Sequence, residues 1–411
     1  MKIDLTLPRQ IYANVNLPAS KSISNRMLII QKLSGGKIEL SNISQCDDTF
    51  VMEKALEKPS DVTDIKAAGT AMRFLTAYFA NSPIETIMTG TERMKNRPID
   101  ILVKSLHHVG ADISYIDREG FPPLRIKGKQ LPGGTVSMPG NVSSQFISAM
   151  LMVAPAFTHG VTIMMQGEVV SRPYINITLN LMRRFGIKIE EPDKYTFVVY
   201  PGKYGEGSYT IENDWSAASY WYELLALADK GEVTLNGLYE NSLQGDSCVK
   251  ELFEPLGIKT TFKDNATVVL TKENPTIERY EADLNHCPDL AQTMAATCCA
   301  MNIPFSFSGL QNLRIKETDR LAAMKQELAT FGYDIDVLNG NTLCWTGKTL
   351  DTDSDYEIFT HEDHRMAMSL APLAILTNKL TINDPHVVSK SYPNFWNELK
   401  QAGATIFKST K

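Results

Sequence analysis

Self-similarity is the strongest constraint that this sequence places on its own fold. Five amphipathic segments each end in a glycine followed by a short strand-like run: HHVGADI, RRFGIKI, EPLGIKT, ATFGYDI and KQAGATI. The glycines are Gly110, Gly186, Gly257, Gly332 and Gly403, at intervals of 76, 71, 75 and 71 residues. A glycine just past a helical pattern takes the left-handed conformation that ends a helix, because it has no Cβ to clash. Each unit is therefore predicted to close as helix, turn, strand.

A second series runs in step with the first. Polar clusters open apolar helices at SKSISNRMLII, GTAMRFLTAYFA, SSQFISAMLMVA, SAASYWYELLALA, DLAQTMAATCCA and DHRMAMSLAPLAI. With Thr70, Ser144, Ser216, Asp289 and His364 as markers the intervals are 74, 72, 73 and 75, while the first unit, from Ser22 to Thr70, spans only 48. The chain thus holds six α/β units. At 411 residues it exceeds what one core supports, so three units in each of two domains fit the length. The marker helices are apolar nearly all round, which predicts that they lie buried in the middle of each domain with strands and amphipathic helices outside. The second domain is expected to begin near YTIENDWSAAS, and the first strand, before Leu17, to cross over and complete it. The boundaries read this way are 1–17 plus 215–411 for the C-terminal domain and 18–214 for the N-terminal one, with the hinge near 17 and 214.

Composition narrows the function classes. A formal charge of -6 argues against non-specific nucleic-acid binding, though not against a local basic pocket. MKIDLTLPRQ has no signal-peptide core, so a cytoplasmic protein is expected. Two uncharged stretches, 135–167 and 290–313, are broken by Pro139, Gly140, Pro155, Gly160 and Pro304 and read as buried helices rather than membrane spans. Cysteines 46, 248, 287, 298, 299 and 344 form no C-x-x-C pair and are expected as buried free thiols; with no Cys/His cluster, no metal is predicted. WTGKTL resembles the end of a P-loop, but no glycine-rich loop precedes it.

The polar clusters have an ordinary explanation, since a Ser, Thr or Asp before a helix satisfies its open N–H groups. Capping needs one short side chain, however, and does not account for Lys21, Arg26, Arg73, Arg365 or the SSQ triplet. Helix N-termini also attract anions, and several of them with added cations suit a ligand carrying more than one anionic group. RMKNRPI adds Arg93, Lys95 and Arg97, LRIKETDRL adds Arg314, Lys316 and Arg320, and VVSKSYP adds Lys390. A helix starting through Thr318 would put Lys316 and Arg320 one turn apart, with Glu317 and Asp319 between them. Arginine suits bidentate binding of phosphate or carboxylate, and a desolvated Glu can move protons. In LPASKSISNRML, Ser22 and Arg26 share a helix face, while Lys21 is rotated by about 100 degrees.

These segments, in order, resemble the enolpyruvyl transferase family, in the branch that acts on shikimate 3-phosphate. The resemblance rests on LPASKSISNR, DDTFVMEKAL, AGTAMR, TGTERMKNRP, NVSSQFISAMLMVAP, SRPYI, PDLAQT, LRIKETDRL, DHRMAM and VSKSYP, which cover nearly the whole chain. It implies two inverted α/β barrel domains, each of three β-α-β-α-β-β repeats with buried parallel helices, closing on substrate. It also implies transfer of the enolpyruvyl group of phosphoenolpyruvate to the 5-hydroxyl of shikimate 3-phosphate, by a monomer without metal or cofactor, with no nucleic acid or membrane as partner. By the same resemblance Lys21, Ser22, Arg26, Ser143, Ser144, Gln145, Ser171, Tyr174, Asp289, Asn312 and Lys316 would hold shikimate 3-phosphate. Lys21, Gly69, Arg97, Gln145, Arg320, Arg365 and Lys390 would hold phosphoenolpyruvate, for which glyphosate is the family's known competitor. Lys21, Asp289 and Glu317 would be catalytic, Asp289 binding the attacking hydroxyl and Glu317 handling the proton on the methylene carbon.

The pattern departs from the family at three places: Ala67 and Phe74 replace the usual Asn and Pro around AGTAMR, and Ala19 stands where Gly is usual. They flank Gly69 and Lys21 and bear on inhibitor sensitivity more than on the reaction. Three rivals were weighed. The sister enzyme acting on UDP-N-acetylglucosamine has a cysteine-bearing loop, whereas TGTERMKNRPI has none. A nucleic-acid clamp built from six repeats would need basic inner helices. A non-catalytic sensor of the same fold would have no use for Lys21, Asp289 and Glu317.

Overall fold

All five repeat glycines sit in the left-handed region, with φ between 84° and 99°. After Gly110, Gly186, Gly332 and Gly403 the next N–H reaches back five residues, as in Ala111 to Leu106 and Ile187 to Met182, so the last carbonyls of each helix are satisfied. The computed structural model describes residues 1–352 and 356–409. It separates into an N-terminal unit, Ala19–Ile211, and a C-terminal unit made of Met1–Pro18 with Glu212–Lys411. Asn213 and Asp214 already belong to the latter, donating to Gly237 and Pro18.

In the N-terminal unit the helices Lys21–Leu33, Gly69–Ala80 and Ser144–Val153 pack on one another at the centre. Residues Ile23 to Ile30 are buried without a break, and only Tyr78 of the second helix is not. Such all-round burial removes the polar face that a surface helix needs, which is why these segments read as apolar throughout. The amphipathic helices Asp47–Glu57, Asp100–His108 and Arg172–Arg184 pack outside them. The second and third repeats each form a four-stranded sheet in the spatial order first, second, fourth, third, with the first pair parallel and the others antiparallel. The short first repeat lacks the closing hairpin. Its sheet has two strands, Ile38–Ser41 parallel to Gly207–Thr210.

The C-terminal unit repeats the plan around the helices Trp215–Leu227, Ala291–Ala300 and His364–Leu370, with three four-stranded sheets. The segment before Leu17 supplies two strands to it. Lys2–Thr6 lies antiparallel between Leu380–Asn383 and Thr405–Lys408, and Gln10–Asn16 lies parallel to Lys230–Asn236. Ile3, Leu5, Ile11 and Val15 face the core in the alternation expected of half-buried strands. No helix among the described residues is long and apolar enough to cross a membrane. The 135–167 stretch is split between the strands Gly134–Pro139 and Val161–Gln166 and one helix. All six cysteines are free thiols; five are buried, and Cys248, expected to be so, is half-exposed.

Candidate active site

In the N-terminal unit every candidate but Arg26, in the second turn of its helix, lies at a helix start or in the loop before one. No side chain caps the Lys21 helix at Ser20 or the Gly69 helix at Ala68, whereas Ser143, Asp214 and Asp363 each cap theirs. Capping therefore explains some of the polar clusters and leaves the starts of two of this unit's three buried helices suited to an anion. Over the Gly69 start stands Arg97: a Cβ at Gly69 would overlap its guanidinium and lie 2.9 Å from Arg73 Nη1. Gln145 Nε2 donates to Thr70 Oγ1 at 3.1 Å, so Gly69, Arg97 and Gln145 meet at one place. Ser144 is buried in the first turn of its helix. Lys21 Nζ lies 3.4 Å from Asp48 Oδ2, a buried carboxylate at the start of the Asp47–Glu57 helix.

Arg26 is bound into the N-terminal unit by several hydrogen bonds. Its Nε donates to Thr178 Oγ1 at 2.7 Å, Nη1 to the Ser22 carbonyl at 2.7 Å, and Nη2 to Ser148 Oγ at 3.2 Å and the Tyr174 carbonyl at 3.1 Å. Its guanidinium carbon stands 5.4 Å from the ring centre of Phe74, one of the residues that depart from the family pattern. Desolvation pulls its pKa down to about 10, which leaves it charged at neutral pH. It ties the Lys21 helix to the Arg172–Arg184 helix, whose start carries Tyr174. Ser171, just before that helix, is buried at φ 54°.

The C-terminal unit gathers its candidates around two carboxylates. Asp289, in the turn Pro288–Leu290, accepts from Arg320 Nη1 and Arg365 Nη2, each at 2.9 Å, with Lys316 Nζ at 3.5 Å. Glu317 accepts from Arg320 Nη2 at 3.0 Å and has Lys390 Nζ at 3.3 Å. Arg320, 1% exposed, joins the two and also grips Asp363 through Nε at 2.8 Å and Nη2 at 3.2 Å. Burial alone would raise the Asp289 pKa; Arg365, Lys316 and Arg320 overcome it and hold the carboxyl well below the usual carboxylate range. The helix expected to start through Thr318 starts instead at Arg320, capped by the Asp319 side chain on the Ala322 N–H. Asp is a strong N-cap and here outcompetes Thr318. Lys316 consequently follows the short 3-10 turn Gln311–Ile315 that carries Asn312, and still converges with Arg320 on Asp289.

Several partners escaped the sequence reading. Asp363 holds Arg320 and caps the helix that carries Arg365. Asp246 accepts from Ser216 Oγ, which lies 3.3 Å from Arg365 Nη2, and Tyr220 OH lies 3.4 Å from Arg365 Nη1. Burial and the nearby Asp289 charge push the Asp246 pKa up to about 6. The repeat contained the signal: Asp48 and Asp246 both open the outer segment of the first repeat in their unit, one facing Lys21 and the other Ser216.

Comparison with known proteins accords with this architecture. The family model for EPSP synthase (3-phosphoshikimate 1-carboxyvinyltransferase) matches residues 51–399. A 3-phosphoshikimate 1-carboxyvinyltransferase of Bacteroides fragilis is 49% identical over 406 residues, covering 99% of both chains. One from Pseudoalteromonas atlantica is 37% identical over 425 residues, covering 96% of this chain and 97% of its own. Among solved structures, an EPSP synthase from Acinetobacter baumannii superposes with TM-score 0.78 at 20% identity over 99% of this chain and 100% of its own. An enolpyruvyl transferase from Streptomyces tendae gives 0.75 at 14% identity over 100% and 99%. The structures establish the fold, two α/β units each wrapped around buried helices, and the sequence matches establish the lineage: the chain belongs to the EPSP synthase family.

Proposed function

We propose that this enzyme transfers the enolpyruvyl group of phosphoenolpyruvate to the 5-hydroxyl of shikimate 3-phosphate, releasing phosphate, by addition and then elimination through a tetrahedral intermediate. The observation that carries the reading is the pair Asp289 and Glu317, bridged by one buried arginine and attended by Lys316, Arg365 and Lys390. Addition needs a proton taken from a hydroxyl oxygen and another delivered to a methylene carbon, and elimination reverses the second step. Asp289 takes the first proton and Glu317 handles the second. Lys21 stabilises charge that develops at the ketal centre.

Gly69, Arg97, Gln145, Arg320, Arg365 and Lys390 hold phosphoenolpyruvate, and Lys21 serves both substrates. Shikimate 3-phosphate is held by Ser22, Arg26, Ser143, Ser144, Gln145, Ser171, Tyr174, Asp289, Asn312 and Lys316. The ion pairs give binding a chemical consequence. Anionic substrate that takes Arg365 and Lys316 away from Asp289 removes the charges that depress its proton affinity, so Asp289 becomes a stronger base when substrate is present. The assembly proposed is a monomer. Both substrates are multiply charged metabolites that do not cross a bilayer unaided, which fits a cytoplasmic enzyme.

The test is phosphate release from phosphoenolpyruvate. Release that depends on added shikimate 3-phosphate supports the reading, and release with UDP-N-acetylglucosamine but not shikimate 3-phosphate overturns it. No release with either acceptor would mark a non-catalytic sensor.

A further inference from the structure

The segment that leads into the His364–Leu370 helix holds a conformation that its residues disfavour. His361 and Glu362, neither of them glycine, lie side by side in the left-handed region at φ 52° and 54°. Two such residues in succession persist only where the surroundings hold them, and they cluster where a side chain must be aimed. Next comes Asp363, fully buried, which caps the Arg365 N–H at 2.9 Å and grips Arg320. The strained pair thus sets where Asp363 and Arg365 stand.

A second buried acid, with no place in the mechanism above, is bonded to this segment. Glu327, 1% exposed, accepts from the Phe359 N–H through Oε2 at 2.9 Å, and its Oε1 lies 2.6 Å from His361 Nε2. Glu327 and Arg320 are on the same helix, Arg320–Ala329, seven residues apart and so two turns up the same face. That one face holds the segment at both ends: Glu327 at Phe359 and His361, Arg320 at Asp363.

We propose that Glu327 and His361 form a clasp that positions Arg365 and Arg320 by holding residues 359–362 in their strained course. The clasp touches no substrate. Its catalytic effect rests on the reading that Arg365 and Arg320 hold phosphoenolpyruvate, whereas its mechanical effect does not, and the two are measured separately.

Hydrogen exchange followed by mass spectrometry reads the clasp directly. Glu327→Gln, which keeps the volume and one acceptor, and Glu327→Ala, which keeps neither, should speed exchange in peptides spanning 359–365 while peptides from the Trp215–Leu227 helix stay protected. Unchanged exchange at 359–365 in folded Glu327→Ala overturns the clasp. Steady-state kinetics reads the consequence. Glu327→Gln and His361→Phe should raise KM for phosphoenolpyruvate by about ten- to a hundredfold, the range for one charge-assisted hydrogen bond, with KM for shikimate 3-phosphate little changed. His361→Gln, which retains a donor, should stay near wild type. Adding Glu362→Gly to Glu327→Gln should recover part of the loss, because glycine takes the left-handed conformation freely. Faster exchange without any change in KM would retain the clasp and overturn its link to phosphoenolpyruvate. Equal losses for both substrates, in proportion to lowered thermal stability, would overturn positioning in favour of a general packing role.

Discussion

Arg320 Nη1 bonds Asp289 at 2.9 Å while its Nη2 bonds Glu317 at 3.0 Å, so one buried guanidinium connects the two carboxylates to which opposite proton duties are assigned. Removing either carboxylate should leave a folded protein, since Asp363 still anchors the arginine. Asp289→Asn and Glu317→Gln should each lower kcat by roughly 10²- to 10⁴-fold, the usual worth of a positioned acid or base. Shikimate 3-phosphate binding, followed by calorimetry, should largely survive. Turnover near wild type in either variant would remove that residue from the mechanism.

Lys21 and Arg26 stand five residues apart and should fail in different ways. Lys21→Met takes the ammonium away from the buried Asp48 carboxylate, so its melting temperature should fall, though by less than that of Arg26→Ala, while KM for phosphoenolpyruvate rises and kcat falls. Arg26→Ala removes the bonds to Thr178, Ser148 and the Tyr174 carbonyl and the packing on Phe74, and should cost about 2 to 4 kcal/mol of stability in denaturant titration, besides weakening shikimate 3-phosphate. Equal stability of the two variants would contradict this division.

At Gly69 a methyl group would overlap the Arg97 guanidinium and crowd that of Arg73, so these side-chain ends must shift to admit it. Gly69→Ala should push Arg97 aside and weaken phosphoenolpyruvate and glyphosate by about ten- to a hundredfold, the range for an overpacked site. Shikimate 3-phosphate should be little affected. Fluorescence titration with each ligand separates the cases, and uniform weakening of all three would show that Gly69 does not border the phosphoenolpyruvate pocket.

Glu223, in the middle of the Trp215–Leu227 helix, is fully buried, and neither carboxylate oxygen has a hydrogen-bond partner in the structure. Desolvation raises its pKa well above the ordinary value, so the folded state keeps it protonated where the unfolded chain ionises it. Its contribution to stability is therefore fully present below about pH 4, the unfolded pKa, and declines as pH rises from there through the folded pKa, by up to about 1.4 kcal/mol per unit. Glu223→Gln should flatten this part of the stability–pH curve, and Glu223→Met should be more stable than wild type at pH 8. A wild-type curve with the same slope as Glu223→Gln between pH 5 and 8 would show that the acid is not buried unpaired.

The sequence reading captured what depends on local periodicity. Helix burial, the five glycine stops and the cations at helix starts each follow from residues near one another in the chain. It missed what depends on distant pairing. The hydrogen bonds of Arg26 could not be read, because its partners Ser148, Thr178 and Tyr174 come from later helices and only folding brings them together. Asp363 was visible only as the start of DHR, because its bond to Arg320 spans 43 residues. The Thr318 helix start failed for a local reason, competition from the better cap one residue on. The clasp at Glu327 combined both difficulties, a buried acid on an amphipathic helix and a backbone conformation that no residue preference announces.

The strand Lys2–Thr6 finds its partners at Leu380–Asn383 and Thr405–Lys408, and Gln10–Asn16 finds its own at Lys230–Asn236, so the order of the sequence differs from the order of assembly. Ala19–Ile211 can complete its sheets as soon as it leaves the ribosome, whereas Ile3 must wait for Ile382 and Lys408. During that wait Lys2–Thr6 lacks its sheet partners, the condition in which a strand edge can pair with another chain. The Ser409 N–H donates to the Lys2 carbonyl, so the two ends of the described chain are neighbours. Joined there by a short linker and reopened between Pro18 and Ala19, the same polypeptide would run through one whole unit and then the other, each in a single stretch. The topology is that of a ring carrying two independent folding modules, cut inside one of them.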